Sequence, residues 1–183
     1  MKKLAALLVL LAACDKPSPP APPPGPMPPT PPPIEPTPKA TQPDVPKEMP
    51  LQPGDLAGLG WPKDSVLHPR PSAPGDSKAD LMLNFQRVGF YWIRSCESEE
   101  KAKDSLRQTG EMHKSSGAKV EAEGDTVKAS FEFGEAGQPT QRAVEINVRV
   151  GSKVIQVGAA GADVAAADLW SRAEKTLALI RGR

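Results

Sequence analysis

The sequence predicts an α+β fold, a two-layer sandwich whose antiparallel meander sheet is covered by a C-terminal helix and preceded by a disordered proline-rich tether. Three observations carry that prediction. Eighteen of the 23 prolines fall between Pro17 and Pro53, whereas all eight aromatic residues follow position 60. From Val120 to Val157, apolar and polar residues alternate in four short runs divided by turn residues. Beyond Asp163 the apolar spacing changes to three and four. The chain therefore divides into a leader over residues 1–13, a lipidated cysteine and tether over 14–53, and a small domain over 54–183. Those last 130 residues suffice for a single modest core.

Met1-Lys2-Lys3 is a short positive start, and Leu4–Ala13 is an apolar run of ten. A membrane-spanning helix takes roughly 20 residues, so this run fits a signal-peptide core instead. It ends Leu11-Ala12-Ala13-Cys14, which resembles the lipobox of bacterial lipoproteins. The resemblance implies cleavage by signal peptidase II before Cys14 and a diacylglyceryl group on its sulfur. Acyl chains contribute about 0.8 kcal/mol per buried methylene, so the lipid would hold the chain to a membrane without spanning it. Asp15 resembles the inner-membrane retention signal of enteric bacteria. That rule is not general, so inner and outer membrane both stay open. The location expected is the cell envelope, facing the periplasm or the exterior.

Residues 17–53 hold too much proline for helix or central strand, because the ring and the missing N–H break both ladders. As polyproline II these 37 residues could reach roughly 115 Å at most. A ligand for a proline-binding module is the other reading of such a segment.

Within the domain, Gly54–Asp80 reads as a transitional stretch in which Trp61 and Val66-Leu67 pack onto the domain edge. Leu81–Arg87 fits strand and helix spacing equally, and Val88–Cys96 reads as a strand. Ser98 opens a helix to about Gly110, with Glu99 and Glu100 at its positive end and a thin apolar face of Ala102 and Leu106, with Met112 a further candidate for it. Four strands follow, around Val120–Ala122, Val127–Phe133, Val144–Val150 and Val154–Val157. Gly124-Asp125 and Gly151-Ser152 supply tight turns, and Gly134–Pro139 is a loop. Asp163 is expected to cap the last helix, whose stripe is Ala166, Leu169, Trp170, Ala173, Leu177 and Ile180.

Val154-Ile155-Gln156-Val157 followed by the helix Ala166–Ile180 resembles PsbP-like domains, over about residues 88–183. That family includes photosystem extrinsic subunits and many bacterial lipoproteins. The resemblance implies a non-enzymatic binding or assembly role and carries over no functional residue.

Candidate chemistry is sparse. The domain has 18 basic and 18 acidic side chains, so no basic field invites nucleic acid. Two histidines and two cysteines leave few metal ligands, and no cofactor motif is present. Cys96 has no intrachain disulfide partner once Cys14 is lipidated; it reads as a buried small residue ahead of an intermolecular disulfide, and as a nucleophile it would want a base such as His113, which nothing in the spacing brings to it. Glu97, Glu99 and Glu100 read as a solvated helix start, because no calcium loop surrounds them. Glu121 and Glu123 read as surface charges opposite Lys128. Asp64, Ser65 and His68 lack a nucleophile elbow. In Phe90-Tyr91-Trp92, a strand sends Tyr91 to the face opposite its neighbours. Tyr91 and Trp61 are the candidate partner-binding residues, with burial of both as the competing expectation.

The expected role is that of a non-enzymatic interaction domain, an accessory or assembly subunit of an envelope complex with a protein partner and a lipid anchor. The alternative is a periplasmic carrier or sensor of a small apolar ligand, suggested by the small residues of Gly158–Ala167. Hydrolysis around His68 or Cys96 is a third reading.

Overall fold

A computed structural model describes residues 45–133 and 139–183. Cys14, the leader, the tether as far as residue 44 and most of the 134–139 loop lie outside the described residues. The described chain is an antiparallel seven-stranded sheet with two helices. In chain order these are β1 (Val66–Pro69), β2 (Ser77–Leu83), β3 (Gln86–Ser95), α1 (Glu99–Ser115), β4 (Lys119–Glu123), β5 (Thr126–Phe133), β6 (Gln141–Val150), β7 (Lys153–Ala162) and α2 (Ala166–Arg181). Spatially the strands run β1-β2-β3-β7-β6-β5-β4, so two meanders meet where β3 pairs with β7.

The α+β class, the meander and the covering C-terminal helix are as the patterns predict. The ambiguous stretch 81–87 is strand on both sides of a two-residue turn at Asn84-Phe85. Both turn residues have left-handed backbone, the conformation that joins two strands most tightly. The transitional stretch holds more structure than its composition suggests, because β1 and most of β2 lie in it. Four residues with a proline make β1 an edge strand, too short for alternation to register. Helix α1 runs one turn further than Gly110, and β7 continues through the alanine-rich stretch to Ala162. Asp163 does not cap α2: it takes a left-handed φ of 53°, and the N-cap position falls to Ala165, which has no side-chain cap bond.

The tether boundary also moves. Leu51, which proline density assigns to the tether, is fully buried beside Leu56, Leu59 and Trp61. Gln52 Nε2 donates to the carbonyls of Pro46 and Met49, and the short 3₁₀ turn Pro53–Asp55 follows. Residues 45–53 therefore pack with the domain. Proline there sets turns rather than an extended rod.

The strand register sorts the side chains onto two faces. On one lie Leu67, Ala79, Leu81, Tyr91, Ile155, Val157, Ala159, Val144, Ile146 and Val148, covered by Leu169, Ala173, Leu177 and Ile180 of α2 and by the Leu51–Trp61 segment. This is the main core. On the other, Val127 and Val154 meet Ala102 and Leu106 of α1 in a smaller cluster. The two helices thus lie on opposite faces of the sheet. Because α1 has so thin an apolar stripe, it covers only the β4–β7 side of its face, and among the described residues no helix covers the β1–β3 side.

Candidate functional site

The part of the α1 face that no described helix covers carries aromatic and charged residues. Strand β3 sends Phe90, Trp92 and Arg94 there, and β2 sends Lys78 and Asp80. Lys78 and Arg94 each place a cation about 5 Å from the Trp92 ring, at 5.0 and 5.1 Å, so its surface is occupied by the protein's own side chains. Arg87 lies 5.4 Å from the Phe90 ring and 3.8 Å from Asp80.

Phe90 lies over β7 because of the residue beneath it. A Cβ on Gly158 would come within 2.2 Å of the ring. The ring therefore lies against β7 at Gly158 and forms one wall of a pocket of about 240 Å³. Phe131 and Phe133 of β5, stacked 6.0 Å apart, form the opposite wall. Ala143 and Ala160 leave the floor low, and Glu145 supplies its one carboxylate.

Glu145 is held by an unusual set of donors. Its Oε1 accepts from His113 Nε2 at 3.0 Å, Asn147 Nδ2 at 2.9 Å and Gln156 Nε2 at 3.3 Å. A carboxylate only accepts, so His113 carries its proton on Nε2. His113 comes from the last turn of α1, is buried, and stands edge-on to Phe131 with centroids 5.3 Å apart. No Lys or Arg pairs with Glu145 among the described residues, and no hydroxyl or thiol there hydrogen-bonds to Glu145 or His113. The arrangement can present a fixed negative charge to a bound group. It offers no nucleophile among the described residues.

The residues singled out in the sequence are placed elsewhere. Tyr91 is fully buried on the α2 face, and its hydroxyl lies 3.2 Å from Ser77 Oγ. Burial pushes its phenol above the ordinary tyrosine range, against the Ser77 contact, which lowers it. Trp61, 4% exposed, donates from Nε1 to Thr176 Oγ1 of α2 at 3.1 Å. Its ring covers Gly89, where a Cβ would come within 2.3 Å. Neither side chain has surface to give a partner: alternation along β3 is right, but the core takes Tyr91 and the open face takes Phe90 and Trp92. Cys14 lies outside the described residues.

Cys96 is a half-buried free thiol against the α1 cluster, just before the helix, whereas His113 sits in its last turn, so no Cys–His pair forms. Ser65 Oγ is buried without a hydrogen-bond partner, which leaves Asp64, Ser65 and His68 unconnected. Glu99 pairs with Arg149 at 3.4 Å, and Glu121 stands opposite Lys128 in the register. No three His, Cys, Asp or Glu side chains group as metal ligands among the described residues. No described helix is long and apolar enough to cross a membrane.

Sequence reasoning missed Glu145, Phe131, Phe133 and His113 as a group. The one available signal was Glu145 and Asn147 on the same side of β6 while Val144, Ile146 and Val148 pointed to the core.

No protein-family model matches the chain, and no curated protein does. Among solved structures, a protein from Bacteroides thetaiotaomicron VPI-5482, determined by crystallography at 1.50 Å resolution, is similar at 14% identity and a TM-score of 0.35. The match covers 60% of this chain and 40% of that one.

Proposed function

We propose that the protein is a lipid-anchored component of the cell envelope, held through Cys14, whose domain is a non-enzymatic interaction module for an envelope protein. The observation that carries the interaction reading is the apolar surface at one end of the sheet. Phe85, 75% exposed, occupies a left-handed turn position that suits glycine or asparagine, and Phe133 is 56% exposed at the same end. An aromatic ring kept in water on a strained turn has no role in this core. It suits an anchor that a partner buries. The PsbP-like resemblance, with its implied binding or assembly role, supports the same reading. So does a long tether, which raises the local concentration of a module near a fixed partner.

Two measurements test the proposal separately. Replacing Cys14→Ser is expected to move the protein from the membrane fraction to the soluble one; a variant that still sediments with membranes removes the lipid anchor. A photo-crosslinking residue at Phe85 is expected to capture one envelope protein in stoichiometric yield, whereas the same residue at Glu174, exposed on α2, captures none. Equal capture from both positions, or none from Phe85, would reject this end of the sheet as the partner surface.

A further inference from the structure

We propose that the pocket between Phe90 and Phe131–Phe133 binds an alkylammonium head group, with Glu145 as its counter-ion; this rests on reading that end of the sheet as the binding face. Three features converge on a cation. Of the pocket's three phenylalanine walls, Phe90 already carries Arg87 at 5.4 Å, whereas Phe131 and Phe133 have no cation over them among the described residues, and aromatic faces attract positive charge. The carboxylate of Glu145 is 13% exposed and has no Lys or Arg partner among the described residues, so its charge lacks a permanent balance. Its hydrogen bonds all arrive at Oε1. Among the described residues Oε2 accepts none and is not sealed from solvent, which leaves it to a group in the pocket.

The donors explain why the charge stays in place. His113, Asn147 and Gln156 fix the carboxylate from three elements, so it does not turn away to pair with solvent. The cation at the rim does not cancel the site. Arg87, a lining residue that is 62% exposed, lies 5.4 Å from the Phe90 ring and 3.8 Å from Asp80, a carboxylate it shares with Arg70 at 3.4 Å, so it stands on the Asp80 side of the pocket and makes no ion pair with Glu145. An ammonium carrying alkyl substituents satisfies both surfaces, apolar carbon against the rings and charge against Oε2. An anion or a plain hydrocarbon satisfies only one.

Choline and its uncharged isostere 3,3-dimethylbutan-1-ol separate the two contributions, because they differ in charge and scarcely in shape. On the full-length chain carrying Cys14→Ser, amide chemical shifts followed by NMR are expected to report choline binding around Phe131, Glu145, Gly158 and Ala160. The isostere should bind at least about tenfold more weakly. Glu145→Gln should bring choline down to the level of the isostere, and Ala160→Leu, which fills the floor, should abolish binding of both. Equal affinity for choline and isostere, unchanged choline binding in Glu145→Gln, or shifts confined to other residues would overturn the proposal. So would no binding at tens of millimolar. Should Glu145→Gln fail to fold, the isostere comparison on the parent chain and Ala160→Leu decide alone.

Phosphocholine divides the sources of the head group. Tighter binding than choline, lost with Arg87→Ala, marks a lipid head group; weaker binding marks a free or peptide-borne amine. Both support an alkylammonium site. If crosslinking from Phe85 succeeds and choline fails, the interaction surface stands and this inference alone falls.

Discussion

Two glycines show how a single missing methyl decides what a face can hold. Gly89 and Gly158 face opposite sides of the sheet, one beneath Trp61 and the other beneath Phe90. At Gly89 an added Cβ meets the Trp61 ring at 2.3 Å and the Gly158 carbonyl at 2.8 Å. Trp61 is pinned by Thr176 and the carbonyl belongs to the backbone, so neither can give way. At Gly158 the close atoms all belong to Phe90, whose ring can swing toward solvent. Gly89→Ala is therefore expected to cost about 2–3 kcal/mol in urea unfolding, and Gly158→Ala about 1 kcal/mol or less. The cheaper substitution should also open the pocket wall, visible as displaced Phe90 ring resonances. Equal costs at the two positions would mean that Phe90 is as firmly held as Trp61.

Among the elements, the Val45–Trp61 segment contributes most beyond its secondary structure, which is one short 3₁₀ turn. Leu51, Leu56, Leu59 and Trp61 complete the core that α2 alone does not cover. Leu51→Ala is expected to destabilise the domain by about 3 kcal/mol, as truncation of a fully buried leucine does. Retained stability in a urea titration would mean that the segment rests on the domain without supporting it. This segment also shows where sequence patterns lose their grip. Strands β4 to β7 were legible because apolar and polar residues alternate along each, but the alternation did not say which face each strand buries: β6 turns its apolar residues to the α2 core and β5 turns its own to the α1 side. The Val45–Trp61 segment has no period, because irregular backbone places each side chain individually. Its prolines suggested a tether, and the core contacts of Leu51 with the Gln52 bonds show otherwise. The site was less legible still: His113, Glu145 and Phe131 come from three elements, and nothing in their spacing foretells that α1 ends over β6. The helix-cap expectation at Asp163 failed for a local reason, since a left-handed residue cannot start the turn it was expected to cap.

For the whole molecule, the two ends of the described chain are joined. Arg183 donates from Nη2 and Nη1 to Asp55 Oδ1 and Oδ2 at 2.8 and 2.9 Å, and Nη1 also reaches the Pro50 carbonyl. Burial raises the Asp55 carboxyl, but the Arg183 fork and the Gln52 N–H together hold it below the ordinary aspartate range. A carboxyl depressed in the folded state adds stability above its unfolded value, near pH 4, and loses it as pH falls through the folded value. Arg183→Ala is accordingly expected to cost about 1 kcal/mol at pH 7. The gap between variant and parent should narrow below about pH 4, as the parent carboxylate takes up its proton. A gap that persists undiminished at pH 2 would assign the effect to packing of the arginine stem. The sheet itself is closed to lateral growth by its edges: β1 is four residues ending in Pro69, and β4 alternates lysine and glutamate with small apolar residues.

The clasp between Arg183 and Asp55 has a mechanical consequence. The chain enters the domain at Val45 on the α2 side, whereas the exposed aromatic end and its pocket belong to the opposite face. Given the anchor and partner surface proposed above, a load between the two would pass through the domain. It would meet the Gln52 bonds, Leu51 and the arginine fork before any strand pair. The fork ties that entry strip to the residues just past α2, so tension is shared by helix and core instead of peeling the strip away one contact at a time.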